Sequence, residues 1–292
     1  MPAITPLCSA GLALLGRATS SYSLARSDWG DRVPTMISAV VFVGISFLSM
    51  SPSDVPGFFY AESVVRHILS AQTEHRLEGA LVEIGVHKGK SFATLLDASA
   101  PGMPVVALDV FDDQHLNYDH SGNTSETIFL SNMRKVFGAA RMQQLVLHRS
   151  DSMQVNSHML LRLTRQLNVL LFSVDGCHTY RCTKSDLELA LSVLHKEGII
   201  MVDDYANVGW PGVAIATGAF LHMHRSEVVA VAVGRNKLFI CRKTSAKLYS
   251  EVFRRFCKTH ECKVKGGTAS ADQEMYILGP KREMSPKFAV TM

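Results

Sequence analysis

Between Phe58 and Glu74, apolar residues fall at 58, 59, 64, 65, 68 and 69, the spacing of one helix face. Beyond that stretch the period changes. Short apolar runs at 80–84, 105–108, 144–147, 169–174 and 199–202 are each bounded by Gly, Asp, Asn or Pro. Helical stretches at 91–98, 124–137, 157–166 and 184–195 separate them. This alternation predicts parallel strands joined by crossover helices that cover both faces of a sheet. The end of the pattern differs. A helix over 210–225 leads into apolar runs at 228–233 and 237–241, with only Gly234-Arg235-Asn236 between them. So short a link joins antiparallel strands, because a parallel pair needs a long crossover. The expected fold is α/β and doubly wound: a mostly parallel seven-stranded sheet ending in an antiparallel hairpin. No internal repeat of fixed period is present.

The flanks depart from this pattern. Residues 36–50 form an uncharged apolar run of fifteen residues, short of the roughly 20 that cross a bilayer. They follow a Ser-, Ala- and Leu-rich stretch in which Arg17 and Arg26 precede the first acid, Asp28. That composition is transit-like. Membrane contact through 36–50, targeting and core packing all remain open uses. Ser51-Pro-Ser-Asp-Val-Pro-Gly57 then breaks any helix. The expected division is an N-terminal targeting, anchor or linker segment (1–57), a soluble catalytic domain (58–243) and a C-terminal extension (244–292).

Charge sharpens the last boundary. The formal balance of +4 is too weak to argue for nucleic acid, so none is expected as a partner. From Cys241 onward there are 11 Lys/Arg and 5 Asp/Glu, so the basic excess lies wholly in the tail. Arg254, Arg255, Lys258, Lys263 and Lys265 are expected in a solvated surface helix and loop. The 292-residue chain is long enough for a sizeable core, and its six cysteines do not make a disulfide scaffold. Cys257, His260 and Cys262 lack the second cysteine pair of a zinc site. Free thiols in a reducing compartment are expected.

Candidate chemistry sits at the strand ends. The first strand runs into Leu81-Val-Glu83-Ile-Gly85-Val-His-Lys-Gly89-Lys-Ser91, a glycine turn that opens a helix. Such a turn lets the backbone approach a ligand and presents helix N-terminal N–H groups to it. A Walker phosphate loop needs four residues where Gly85 and Gly89 enclose three. A dinucleotide loop needs a middle glycine that is missing. S-adenosylmethionine fits better: Glu83 for its amino group, Gly85 and Gly89 for space, Ser91 at the helix start. Asp109, ending the next strand, suits the ribose hydroxyls, and Ser150-Asp151, ending the third, suits adenine.

A second cluster is acidic. Strand four ends in Val174-Asp175-Gly-Cys-His178 and strand five in Val202-Asp203-Asp204-Tyr205. Adjacent parallel strands open on one crevice, so Asp175 should lie near Asp203 and Asp204. Three carboxylates there need a cation, and hard oxygen ligands suit Mg²⁺ or another divalent ion. His178, on the same loop, is the candidate general base. The polar stretch 112–125 is expected to form a lid or acceptor wall.

Three segments, Val82–Ser91, Val174–Tyr180 and Gly198–Tyr205, resemble class I S-adenosylmethionine-dependent methyltransferases. More narrowly, they resemble the metal-dependent macrocin and novobiocin-sugar O-methyltransferases. The likeness spans roughly 58–243, and a terminal hairpin suits that Rossmann-like sheet. It implies Mg²⁺ at Asp175, Asp203 and Asp204, with His178 as base. The implied reaction is O-methylation of a small-molecule hydroxyl, on a sugar or catechol-like diol. A nucleotide-dependent enzyme using the glycine turn, and a non-catalytic binding module of the same fold, are the competing readings.

Overall fold

A computed structural model describes residues 50–266 and 274–279. Most of the N-terminal segment, including the apolar run as far as residue 49, lies outside them. Among the described residues, no helix is long and apolar enough to cross a membrane.

Helix α1 (Glu62–Glu74) turns Val64, Val65, Ile68 and Leu69 inward, four of the six positions the spacing predicts; Phe58 and Phe59 precede the helix, and Phe58 is exposed. Then come β1 (Ala80–Ile84), α2 (Lys90–Ala98), β2 (Val105–Asp109), α3 (Glu126–Val136), the short α4 (Ala139–Met142) and β3 (Leu145–Arg149). The chain continues through α5 (Ser157–Leu163), β4 (Val169–Val174), α6 (Tyr180–Val193), β5 (Leu194–Asp203) and α7 (Pro211–Met223). Antiparallel β6 (Val228–Gly234) and β7 (Lys237–Arg242) follow. Strands β1 to β5 are parallel, and β7 lies antiparallel to β5.

Side chains alternate between two cores. Leu81 packs into one with α1, α2 and α3, whereas Val82 and Ile84 pack into the other with α5, α6 and α7. That alternation is the strand period of two. It explains why β1, β2 and β4 are buried along their whole length, as parallel strands covered on both faces must be.

The C-terminal region is not the solvated extension expected. Helix α8 (Ala246–Phe256) buries Tyr249, Val252, Phe253 and Phe256 against the first core. Strands β8 (Cys262–Gly266) and β9 (Glu274–Leu278) then extend the sheet, with β9 parallel to β6. The order is β3-β2-β1-β4-β5-β7-β6-β9-β8, nine strands rather than seven. The charge reading was right in one respect: Arg254, Arg255, Lys258, Lys263 and Lys265 are all exposed. Arg254 and Arg255 cover the outer side of α8, whose inner side is core. Phe253 is 0% exposed, so Phe253→Ala should cost about 3–5 kcal/mol in urea unfolding. A solvated tail would lose less than about 0.5 kcal/mol.

The cysteines also differ from expectation. Cys177 bonds to Cys182 and Cys257 to Cys262, leaving Cys241 as a buried thiol among the described residues. Burial pushes the Cys241 thiol up to about 12. This pairing replaces the free thiols expected from the sequence. It also takes both sulfurs of the Cys257–Cys262 segment away from metal binding.

Candidate active site

The turn after β1 is shaped by the protein's own packing. Gly85 has φ +81, and a Cβ there would lie 1.8 Å from the Asp175 carbonyl oxygen. Only glycine lets the ends of β1 and β4 close up this way. Gly89, at φ +89, precedes α2, and a Cβ there would meet the Met133 methyl at 2.5 Å. The missing Cβ atoms thus let Asp175 and Met133 approach the turn closely.

The ligand space lies just outside. A cavity of about 290 Å³ opens at the carboxyl ends of β1, β2 and β4. This is where chain order reverses across an open α/β sheet, and where such folds bind ligands. Gly85, Ser91, Asp109, Ser150, Asp151, Asp175, His178 and Asp204 all line it. Gly89, Glu83 and Asp203 are not among its lining residues.

Asp109 fits its expected role. Its Oδ2 accepts the His87 N–H at 2.9 Å and its Oδ1 accepts the Phe111 N–H at 2.7 Å. The carboxylate is thereby fixed at the cavity wall, with acceptor capacity left on each oxygen. Burial raises its pKa, and these backbone donors oppose the rise. Asp151 is held in the same manner, accepting the Met153 N–H at 2.9 Å and the Tyr118 hydroxyl at 3.2 Å. The loop after β2 forms a wall, with Leu116, Asn117, Tyr118, Ser121 and Gly122 facing the cavity. Arg149 clamps the loop's start through Asp113 at 2.7 Å.

Glu83 is 0% exposed, between β1 and β4. Its Oε1 accepts the Ser173 hydroxyl at 3.0 Å, while Oε2 is buried without a hydrogen bond. Burial pushes the carboxyl up to about 7, against Ser91, Lys237 and Ser173, which favour the charged form. Glu83 is not among the cavity-lining residues, so of the two expected modes, direct or through water, a contact through water is the one this placement leaves.

His178 lies between two carboxylates. Its Nδ1 is 2.8 Å from Asp119 Oδ2, and its Nε2 is 3.1 Å from Asp204 Oδ2. The ring stacks on Trp210 with centroids 4.5 Å apart. Burial alone would lower its pKa, but the hydrogen bonds and charges of Asp204 and Asp119 outweigh burial and raise it. Asp204 has φ +54, a left-handed conformation uncommon for a residue with a side chain. Its carboxyl is held well below the usual range, despite burial, by His178, Asn207 and Asn236.

The sequence missed Lys237. Its Nζ contacts Asp203 Oδ2, lies 3.8 Å from Asp175 Oδ2, and sits 5.3 Å from the centre of the Phe59 ring. Burial and the neighbouring Asp203 charge raise the Asp175 pKa well above its ordinary value, with Lys237 opposing. Asp119 and Trp210 were also missed. A cationic residue opening the otherwise apolar run 237–241 was the available signal for Lys237.

A divalent ion would compete here with donors of the protein itself. Both Asp203 oxygens are engaged, Oδ1 by the Asp204 N–H at 2.6 Å and Oδ2 by Lys237. Both Asp204 oxygens are engaged too, Oδ1 by Asn207 and Asn236 and Oδ2 by His178. No group of three or more His, Cys, Asp or Glu side chains among the described residues is placed to hold a metal. The three acids expected to hold Mg²⁺, Asp175, Asp203 and Asp204, lie near one another, and protein donors already meet two of them.

Residues 82–205 match a family described as a methyltransferase domain. Among solved structures, the O-methyltransferase NovP is 17% identical, aligning 63% of this chain with 79% of its own at a TM-score of 0.51. CalS11, a TDP-rhamnose 3'-O-methyltransferase of calicheamicin biosynthesis, is 20% identical over 61% of this chain and 79% of its own, with a TM-score of 0.41. The MycE methyltransferase of the mycinamycin pathway, solved with Mg and SAH, is 16% identical over 66% and 55%, with a TM-score of 0.43. No curated protein matches the sequence. The likeness to NovP is one of fold, and it covers the parallel sheet and its antiparallel end. Residues 82–205 thus match a methyltransferase-domain family, and the chain shares the fold of the O-methyltransferase NovP.

Proposed function

We propose that the chain transfers a methyl group from S-adenosylmethionine to a hydroxyl of a small acceptor. One observation carries this reading: a single cavity is lined by Asp109, suited to a ribose, and by His178, suited to a hydroxyl proton. S-adenosylmethionine supplies, when bound, a methyl made electrophilic by its sulfonium. Asp109 would accept the ribose hydroxyls, and Ser150 and Asp151 would border the adenine. The acidic wall formed by Asp109, Asp151, Asp175 and Asp204 favours this cationic ligand over a nucleotide polyphosphate. Lys90 Nζ is turned to the Ser53 carbonyl at 2.5 Å, which also disfavours a phosphate loop.

His178 would take the acceptor proton at Nε2 as the oxygen attacks the methyl. Asp119 fixes the ring through Nδ1, as an orienting carboxylate does in other base–acid pairs. The hydroxyl would have to displace Asp204 from Nε2; its oxygen would gain the methyl as the carbon–sulfur bond breaks, and its proton would pass to Nε2. No step here calls on Mg²⁺. The diol expectation rested on chelation, and without a metal the acceptor class widens to small hydroxyl compounds. Labelled methyl transfer across a panel of hydroxylated small molecules tests the reaction. Transfer only to amines or thiols would contradict it.

The base works only when unprotonated, and both carboxylates hold its proton. Turnover should therefore rise with pH along a limb above the ordinary histidine value of 6.5. Asp119→Asn, which removes one of the two charges on the ring, should move that limb to lower pH. A pH–rate profile reads both, and a limb that stays put in the variant would remove His178 as the titrating base.

A further inference from the structure

We infer that Lys237 stands, as a fixed ammonium, where the sequence pattern called for a divalent metal, and that the cleft operates without one. The placement is dictated by backbone pairing. Asp203 ends β5 and Lys237 opens β7, and the two are direct cross-strand partners in the antiparallel register. Cross-strand opposite charges are natural neighbours. The β6–β7 turn reinforces this. Arg235 and Asn236 both take left-handed φ, at 52 and 64, as tight hairpin turns require. Asn236 then donates to Asp204 while Lys237 reaches Asp203. Two consecutive residues thus deliver two donors to two consecutive acids.

The ammonium is also fixed from its other sides. Lys237 is 4% exposed, its charge lies near the Phe59 ring, and Asp175 stands between it and the cavity. Asp203, one of the three expected metal ligands, faces this ammonium and does not line the cavity. A divalent ion held by Asp175 and Asp203 would sit beside a buried positive charge that cannot leave. Repulsion at that range in a low-dielectric site opposes binding. Lys237 is then a positioning residue. It neutralises Asp175 and Asp203 so that the carboxyl ends of β4 and β5 can meet, holding the Asp175–His178 loop at the cavity. Only the catalytic part of this inference rests on the methyl-transfer reading.

Mn²⁺ binding to the full chain, followed by the electron paramagnetic resonance of the free aqua ion, tests it without cofactor or acceptor. The wild type should leave the free-ion signal unchanged up to about 1 mM Mn²⁺, weaker than the sensor range of dedicated cation sites. Lys237→Met removes the ammonium and exposes the acids, so it should gain Mn²⁺ affinity at least ten-fold. Asp203→Asn in that background should abolish the gain. Lys237→Arg keeps the charge and should bind no Mn²⁺. Wild-type binding that disappears in Asp203→Asn would overturn the inference, and so would a folded Lys237→Met with no gain. If Lys237→Met fails to fold, the wild-type and Lys237→Arg titrations still decide. Absence of S-adenosylmethionine binding would overturn the methyl-transfer reading while leaving the metal result intact.

Discussion

Asp109→Ala should weaken S-adenosylmethionine binding by at least 30-fold in a calorimetric titration. The carboxylate offers acceptors to two ribose hydroxyls, and each hydrogen bond to a charged group contributes about 1.5–3 kcal/mol. The side chain has a second task. It accepts the His87 N–H at 2.9 Å and the Phe111 N–H at 2.7 Å, so its loss orphans two backbone donors. The variant should therefore also lose about 1–3 kcal/mol of stability. The two effects separate by method, since chemical unfolding without ligand reads only the second. Wild-type affinity in a destabilised variant would leave Asp109 as a loop anchor and nothing more.

The second large effect is on the chemical step. His178→Ala should lower turnover by about 10²–10⁴-fold, the usual reach of general acid–base catalysis. Affinity for S-adenosylmethionine should change little, because in this reading His178 meets the acceptor hydroxyl and not the cofactor. His178→Gln should not restore activity, since an amide can hydrogen-bond at the same place but cannot accept the proton. A loss below about ten-fold would shift the base role away from the ring that Asp119 and Asp204 hold.

The central sheet was legible because parallel strands buried on both faces are mainly apolar, as β1 and β4 are apart from Glu83 and Ser173. The terminal hairpin was legible from the shortness of its link. Strand-end acids were legible for a topological reason: adjacent parallel strands open on one side. Lys237 was not, because its partner Asp203 lies in another strand and is met only through the antiparallel register. The two glycines were read as room for a ligand; Gly85 does line the cavity, and the missing Cβ atoms also admit Asp175 and Met133. The tail was misread by counting charge. Tyr249, Val252, Phe253 and Phe256 form a helical stripe, but the exposed basic residues around them dominated the count. The disulfides were not legible, since the spacing of four residues says nothing of whether two thiols meet.

The most direct measurement is a calorimetric titration of the full chain with S-adenosylmethionine in EDTA, with ATP titrated in parallel. Saturable one-to-one binding of S-adenosylmethionine with the metal removed, and none of ATP, is the predicted result. ATP binding without S-adenosylmethionine binding, or S-adenosylmethionine binding that appears only when Mg²⁺ is restored, would contradict it.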